Sequence, residues 1–130
     1  MAKTKTRSRA PSRVFKTAWF AKVARKAHIE DEDLCVAILQ VMHGQADDLG
    51  GGVFKKRLND NRHRSIILAR GGCFWVYEYL FAKQDRDNID DDELVAFRSL
   101  AAAYGRLMDQ DVSNLIANRK FLEICNDCQT

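Results

Sequence analysis

The chain has 130 residues, 46% of them apolar and 30% charged, with a formal net charge of +3. That length suits one domain around one core, and no apolar run approaches the ~20 residues of a membrane helix. The basic opening Met1–Arg13 leads into no apolar stretch of the ~7–15 residues that a secretory signal needs, so a cytoplasmic protein is expected.

The charge is sorted rather than spread. Residues 1–13 carry five cations and no acid. Residues 55–86 hold eight cations against three acids, or +5, and residues 87–93 swing to −5. Charge sorted in such blocks says more than the total. Residues 1–12, with the only proline, Pro11, read as a disordered basic tail.

Val14–Thr17 alternates apolar and polar residues as a short strand does. Trp19, Phe20, Val23, Ala24 and Ala27 then fall at helical spacing, and Leu34, Ala37, Ile38, Val41 and Met42 repeat it. The acids Glu30 to Asp33 suit the start of that second helix, and Gly44 ends it. Gly50-Gly51-Gly52 lacks the Gly-Lys-Ser/Thr of a phosphate-binding loop and reads as a sharp turn into a strand. Val53–Leu58, His63–Arg70 and Cys73–Ala82 read as three strands, the last two joined by a Gly71-Gly72 hairpin. Asp90 and Glu93 form a capping box before the apolar helical face Leu94, Phe97, Leu100, Ala101, Tyr104 and Leu107. A weaker helix is expected from Asp111 to about Cys125.

The expected fold is therefore α/β (α+β), β-α-α-β-β-β-α plus a C-terminal helix. Its sheet is small and mainly antiparallel, with the helices packed on one face. Residues 13–108 would form the domain and 109–130 a helical extension. Cys35, Cys73, Cys125 and Cys128 are expected as reduced thiols. Cys125-x-x-Cys128 has no second close ligand pair, so neither a metal nor another cofactor is expected.

On the first of the three strands Lys55 and Arg57 point away from Phe54 and Leu58. On the third, Trp75, Tyr77, Tyr79, Phe81 and Lys83 share a parity opposite to Phe74, Val76, Leu80 and Ala82. Rings beside cations on an open sheet suit RNA, because rings stack unpaired bases and cations hold phosphates. The competing explanation is plain: aromatics are good strand formers and basic residues solvate surfaces.

Leu49-Gly-Gly-Gly-Val-Phe-Lys-Lys-Arg-Leu58, Arg64-Ser-Ile-Ile67 and Phe81-Ala-Lys-Gln-Asp-Arg-Asp-Asn-Ile89, with Arg13-Val-Phe-Lys-Thr17 and Trp19-Phe20, resemble the RelE/ParE/HigB superfamily of bacterial type II toxins. The resemblance spans about Val14 to Leu107. It implies a compact RelE-like fold, ribosome-dependent mRNA cleavage that inhibits translation, and a cognate antitoxin, often of the helix-turn-helix kind. By strand position, Lys55 and Arg57 look like the paired basic residues of the RelE-type sheet. Arg64 looks like the arginine opening the next strand, and Arg86 like the basic residue after the last. Where such nucleases carry a further arginine and a catalytic tyrosine, this chain has Gln84 and Asp90.

Lys55, Arg57, Arg64 and Arg86 are thus the candidates for charge stabilisation. His63, the imidazole beside them, is the candidate for acid/base work. Lys56, Arg62, Tyr77, Tyr79 and Lys83 are candidates for RNA contact. Two alternatives remain: a ParE-like poison of DNA gyrase, and a non-catalytic nucleic-acid-binding module.

Overall fold

A computed structural model describes residues 12–70 and 74–125. Residues 1–11 of the basic tail, the Gly71-Gly72 hairpin, Cys73 and Cys128 lie outside the described residues. The chain runs β1 (Arg13–Thr17), α1 (Ala18–Lys26), α2 (Asp31–Met42), β2 (Asp47–Gly50), β3 (Val53–Leu58), β4 (His63–Arg70), β5 (Phe74–Ala82), α3 (Asp91–Tyr104), α4 (Asp109–Ala117) and β6 (Phe121–Ile124). The six strands form one sheet in the order β2-β3-β4-β5-β1-β6, in which only β1 and β5 pair in parallel. The fold is mixed α+β and mainly antiparallel, as expected.

Local chemistry sets the helix ends. Thr17 accepts a hydrogen bond from the Phe20 amide at 3.0 Å and starts α1. Asp90 and Glu93 cap each other's backbone amides at 2.8 Å and start α3. The loop between β3 and β4 carries three consecutive positive-φ residues, Asn59, Asp60 and Asn61, residue types that tolerate the left-handed region.

Three expectations need correction. The helices cover both faces of the sheet, not one. Val14, Ile67, Ala69, Trp75, Tyr77 and Leu80 pack with α1 and α2. On the other face, Val53, Ile66, Leu68 and Phe81 meet α3, and Phe15, Val76 and Phe121 meet Val112 of α4. Strands with apolar residues at both parities, such as Ile66-Ile67-Leu68, demand cover on both sides.

The C-terminal segment is also not all helix. After α4, residues 121–124 add an edge strand to β1 through Thr17↔Phe121 and Val14↔Ile124. Finally, Cys35 of α2 and Cys125 form a disulfide 90 residues apart in sequence. Both are nearly buried, so the reduced-thiol expectation fails for this pair.

The triple glycine serves the packing of α3. Gly52 has φ +86°, and a Cβ there would lie 2.5 Å from the Ala69 carbonyl oxygen. At Gly51 (φ +65°) a Cβ would lie 2.7 Å from Arg98. Arg98 reaches over this turn and donates to the carbonyls of Leu49 and Gly50. The turn is where α3 anchors to the β2–β3 edge.

Candidate nucleic-acid interface

Cross-strand register arranges the α3 face of the sheet into rows. Val53, Leu68 and Val76 form one row, Lys55, Ile66 and Tyr79 the next, and Arg57, Arg64 and Phe81 the last. The first row is buried. In the second, Ile66 is buried while Lys55 and Tyr79 are half-exposed. In the third, Arg57 is exposed and Arg64 half-exposed. The face therefore grades from apolar core to open cationic rim over two residue steps along the strands.

A bulge makes this arrangement. The β4–β5 register passes from Ile67↔Tyr77 to Ile66↔Tyr79, so Glu78 has no partner across the ladder. One extra residue inverts the parity of everything beyond it. Tyr79 and Phe81 thereby join the α3 face, while Trp75 and Tyr77 stay with α1 and α2. The single ring-rich face expected for β5 is divided between the two sides. Tyr77 is fully buried, and its hydroxyl donates to the Leu34 carbonyl at 2.7 Å. Burial also drives its pKa well above the ordinary phenol value. As a core residue it cannot contact RNA, and that expectation is withdrawn.

Arg57 and Arg64 are direct cross-strand partners, with Cα atoms about 5 Å apart in such a pair. Arg64 Nη1 donates to the carbonyls of Asn61 at 3.0 Å and His63 at 3.2 Å. Among the described residues neither arginine has a carboxylate partner. Lys55 donates to Asn88 at 3.3 Å and stands 3.9 Å from Asp47.

Arg86 closes the row from above. Its guanidinium lies 5.5 Å from the centroid of the Phe81 ring and donates to the Tyr79 hydroxyl at 3.3 Å. It also forms a two-point pair with Glu93, at 3.1 and 2.5 Å. The hydrogen bond to Glu93 raises the arginine pKa further and lowers that of the carboxylate. Of the four charge-stabilising candidates, Lys55, Arg57 and Arg64 thus share one face, and Arg86 joins them already paired.

His63 sits apart. Strand alternation puts it on the parity of Ser65 and Ile67, opposite Arg64. Its Nδ1 is 3.2 Å from Asn59 Nδ2, which also approaches the Ala27 carbonyl at 3.4 Å. Burial and then Arg62 lower its pKa, with Asp85 partly opposing them, so the ring is neutral at pH 7. Lys56 points to the same side as Phe54 and Leu58 and donates to the Gln45 carbonyl at 2.9 Å. Its pKa is lowered by burial and by Arg57.

Arg62, Lys83 and Gln84 line an open cleft at the strand ends, with His63 and Asp87. Asp90 is the N-cap of α3, a structural post. Among the described residues no group of three or more His, Cys, Asp or Glu side chains is placed to hold a metal.

Sequence reasoning missed the partners that border the rim: Asn88, Glu93 and Asn59. The acidic run 87–93 directly after the basic segment was the available signal for the first two. It also missed Trp19, read as one apolar position of α1 although it is 48% exposed.

A sheet with α1 and α2 on one side, α3 and α4 on the other, and a cationic rim left open defines a small basic α+β protein. The family model described as the RelE toxin of the RelE/RelB toxin–antitoxin system matches residues 12–124. The chain belongs to the RelE toxin family. Comparison with curated proteins and with solved structures gave no match to either.

Proposed function

We propose that this protein is the toxin of a toxin–antitoxin pair and a metal-independent endoribonuclease, cutting mRNA on the ribosome in the cytoplasm and silenced by a helix-turn-helix antitoxin. The observation that carries the reading is the Arg57–Arg64 pair. Like charges directly across two strands destabilise a sheet, and among the described residues these two have no carboxylate partner. A phosphodiester held between the guanidiniums relieves that repulsion with charge-assisted hydrogen bonds.

In the proposed reaction the 2′-hydroxyl attacks the adjacent phosphorus in line and the bond to the 5′-oxygen breaks. The products are a cyclic phosphate and a free 5′-hydroxyl. Arg57, Arg64 and Lys55 balance the charge that grows on the phosphoryl oxygens. The proton lost by the 2′-hydroxyl goes to the imidazole of His63, whose pKa burial lowers, and solvent water protonates the 5′-oxygen leaving on the opposite side of the phosphorus. RNA meets His63 around the end of β4, because the sheet lies between its ring and the arginine row. Arg62, Lys83 and the Lys56 ammonium would contact flanking phosphates, and Tyr79 a base.

The placement of His63 favours one rival, a sheet that grips RNA without cutting it. Translation extracts programmed with mRNA separate the two. The proposal expects new 5′-hydroxyl ends with wild type, and ~10²-fold slower cleavage by His63→Ala, in the range of general acid–base contributions. Intact RNA bound tightly by wild type would establish the rival.

A further inference from the structure

We infer that Trp19 is a stacking platform for an unpaired nucleobase of the RNA whose phosphate Arg57 and Arg64 hold; the inference rests on the RNA reading above. Trp19 lies in the first turn of α1 and is 48% exposed. One face of its indole lies on Tyr79, with ring centroids 5.3 Å apart and planes 16° from parallel. Its indole N–H has no hydrogen-bond partner among the described residues. A buried tryptophan packs and pairs its N–H; this one does neither fully.

The position of the indole relative to the cations adds a second, independent reason. Tyr79 touches Phe81 at 5.9 Å between centroids, and Phe81 is the cross-strand neighbour of Arg64. Phe81, Tyr79 and Trp19 therefore form a continuous aromatic path from the arginine row to the edge of the sheet. Where the path ends, an open cleft of about 420 Å³ lies between α1 and the end of β5. Trp19, Lys26, His63 and Arg86 are among its walls.

The pairing of flat rings with cations is the chemistry of a single-stranded nucleic acid, whose bases stack while its phosphates are held alongside. The β1 strand explains why the cleft exists. Its pairing with β5 ends at Lys16↔Tyr77, and the chain then turns into α1. The last residues of β5 are left beside a helix start rather than a strand. A protein side chain entering the same cleft is the competing occupant, and Lys26 and Arg86 against the single acid Asp85 at its wall, together with the exposed indole, favour the nucleotide.

The test uses the full chain and a 2′-O-methylated decaribonucleotide, which lacks the attacking hydroxyl and stays intact. Tryptophan fluorescence and affinity are read in wild type, Trp19→Phe, Trp19→Ala and Arg57→Ala/Arg64→Ala. Binding is expected to quench wild-type fluorescence and to leave Trp19→Phe, which keeps only the buried Trp75, unquenched. Trp19→Ala should bind about tenfold to a hundredfold more weakly, the range for one lost base stack, with Trp19→Phe between. The same chain made of abasic units should bind without quenching. RNA held by the arginines with no quench, and at full affinity by Trp19→Ala, overturns the stacking platform alone and leaves the cleft to a protein side chain. RNA binding unaffected by Arg57→Ala/Arg64→Ala overturns the phosphate reading, and with it the shared phosphate assumed here.

Discussion

The α3 face of the sheet has two halves built from the same three strands, and they differ in what covers them. At the Val53–Leu68 end, α3 lays Leu94, Phe97 and Ala101 over the strands and the rows are apolar. At the Arg57–Arg64 end the helix has not yet begun, because Asp90 caps its N-terminus after the chain arrives from β5. Between the halves, Asn88 and Glu93 hold Lys55 and Arg86. One alternating pattern thus yields a core or an open cationic rim according to where one helix begins.

The two halves should respond to mutation differently. Leu68→Ala, in the covered half, should lower stability by about 2–5 kcal/mol, measured by denaturant unfolding, while RNA affinity per folded molecule holds. Arg64→Ala, in the open half, should slow mRNA cleavage by ~10²–10³-fold, the usual effect of removing one group that stabilises transition-state charge. Its unfolding midpoint should barely move. A mutant of either half that shifts both measurements equally would merge the halves into one unit.

Glu93→Gln acts on the border. Removing that carboxylate frees Arg86 for phosphate and should tighten RNA binding several-fold, with little change in stability. Weaker binding would mean that Glu93 organises the rim rather than competes for it.

The smallest effect is expected at Glu78, the residue in the bulge, whose carboxylate accepts from Tyr104 at 2.7 Å. Burial raises its pKa, and the Tyr104 hydrogen bond only partly opposes this. A carboxyl with a raised folded pKa binds its proton more tightly when folded. Its contribution is best below the unfolded pKa and worsens as pH climbs to the folded value. Glu78→Gln should therefore be the more stable form at pH 7, with its advantage fading in acid. Thermal melts from about pH 4, near the ordinary carboxyl value, up to neutral pH check the sign.

Much of the fold was legible because its signals are local. Strands Val53–Leu58 and His63–Arg70, the Asp90–Glu93 cap and the helices around Phe20 and Ile38 follow from alternation, helical spacing and capping chemistry. Features that depend on distant partners were not. Asp47–Gly50 is too acidic and short to read as a strand, and becomes one only against Val53–Lys55. Phe121–Ile124 follows a helix with no strand-length pattern, and pairs with β1 more than a hundred residues away in sequence.

The Glu78 bulge leaves no mark in the alternation, yet it decides which rings face the arginines. Cysteine spacing does not reveal a pairing, so Cys35 and Cys125 became partners only in three dimensions. In the candidate site, Lys55 and Arg57 were legible from strand parity, whereas the face Arg64 takes was not, because β4 carries apolar residues at both parities. His63 and Tyr77 were misjudged for want of knowing which side each would face.

The account turns on two guanidiniums sharing one phosphodiester on the uncovered rim. Its most direct test is the salt dependence of single-stranded RNA binding for wild type and Arg57→Ala/Arg64→Ala. Each phosphate contact contributes about 0.7 to the slope of log affinity against log salt on single strands. The double variant should bind more weakly at low salt and lose about 0.7 to 1.4 of that slope, for one shared or two separate phosphates. Equal affinity and an unchanged slope would contradict it.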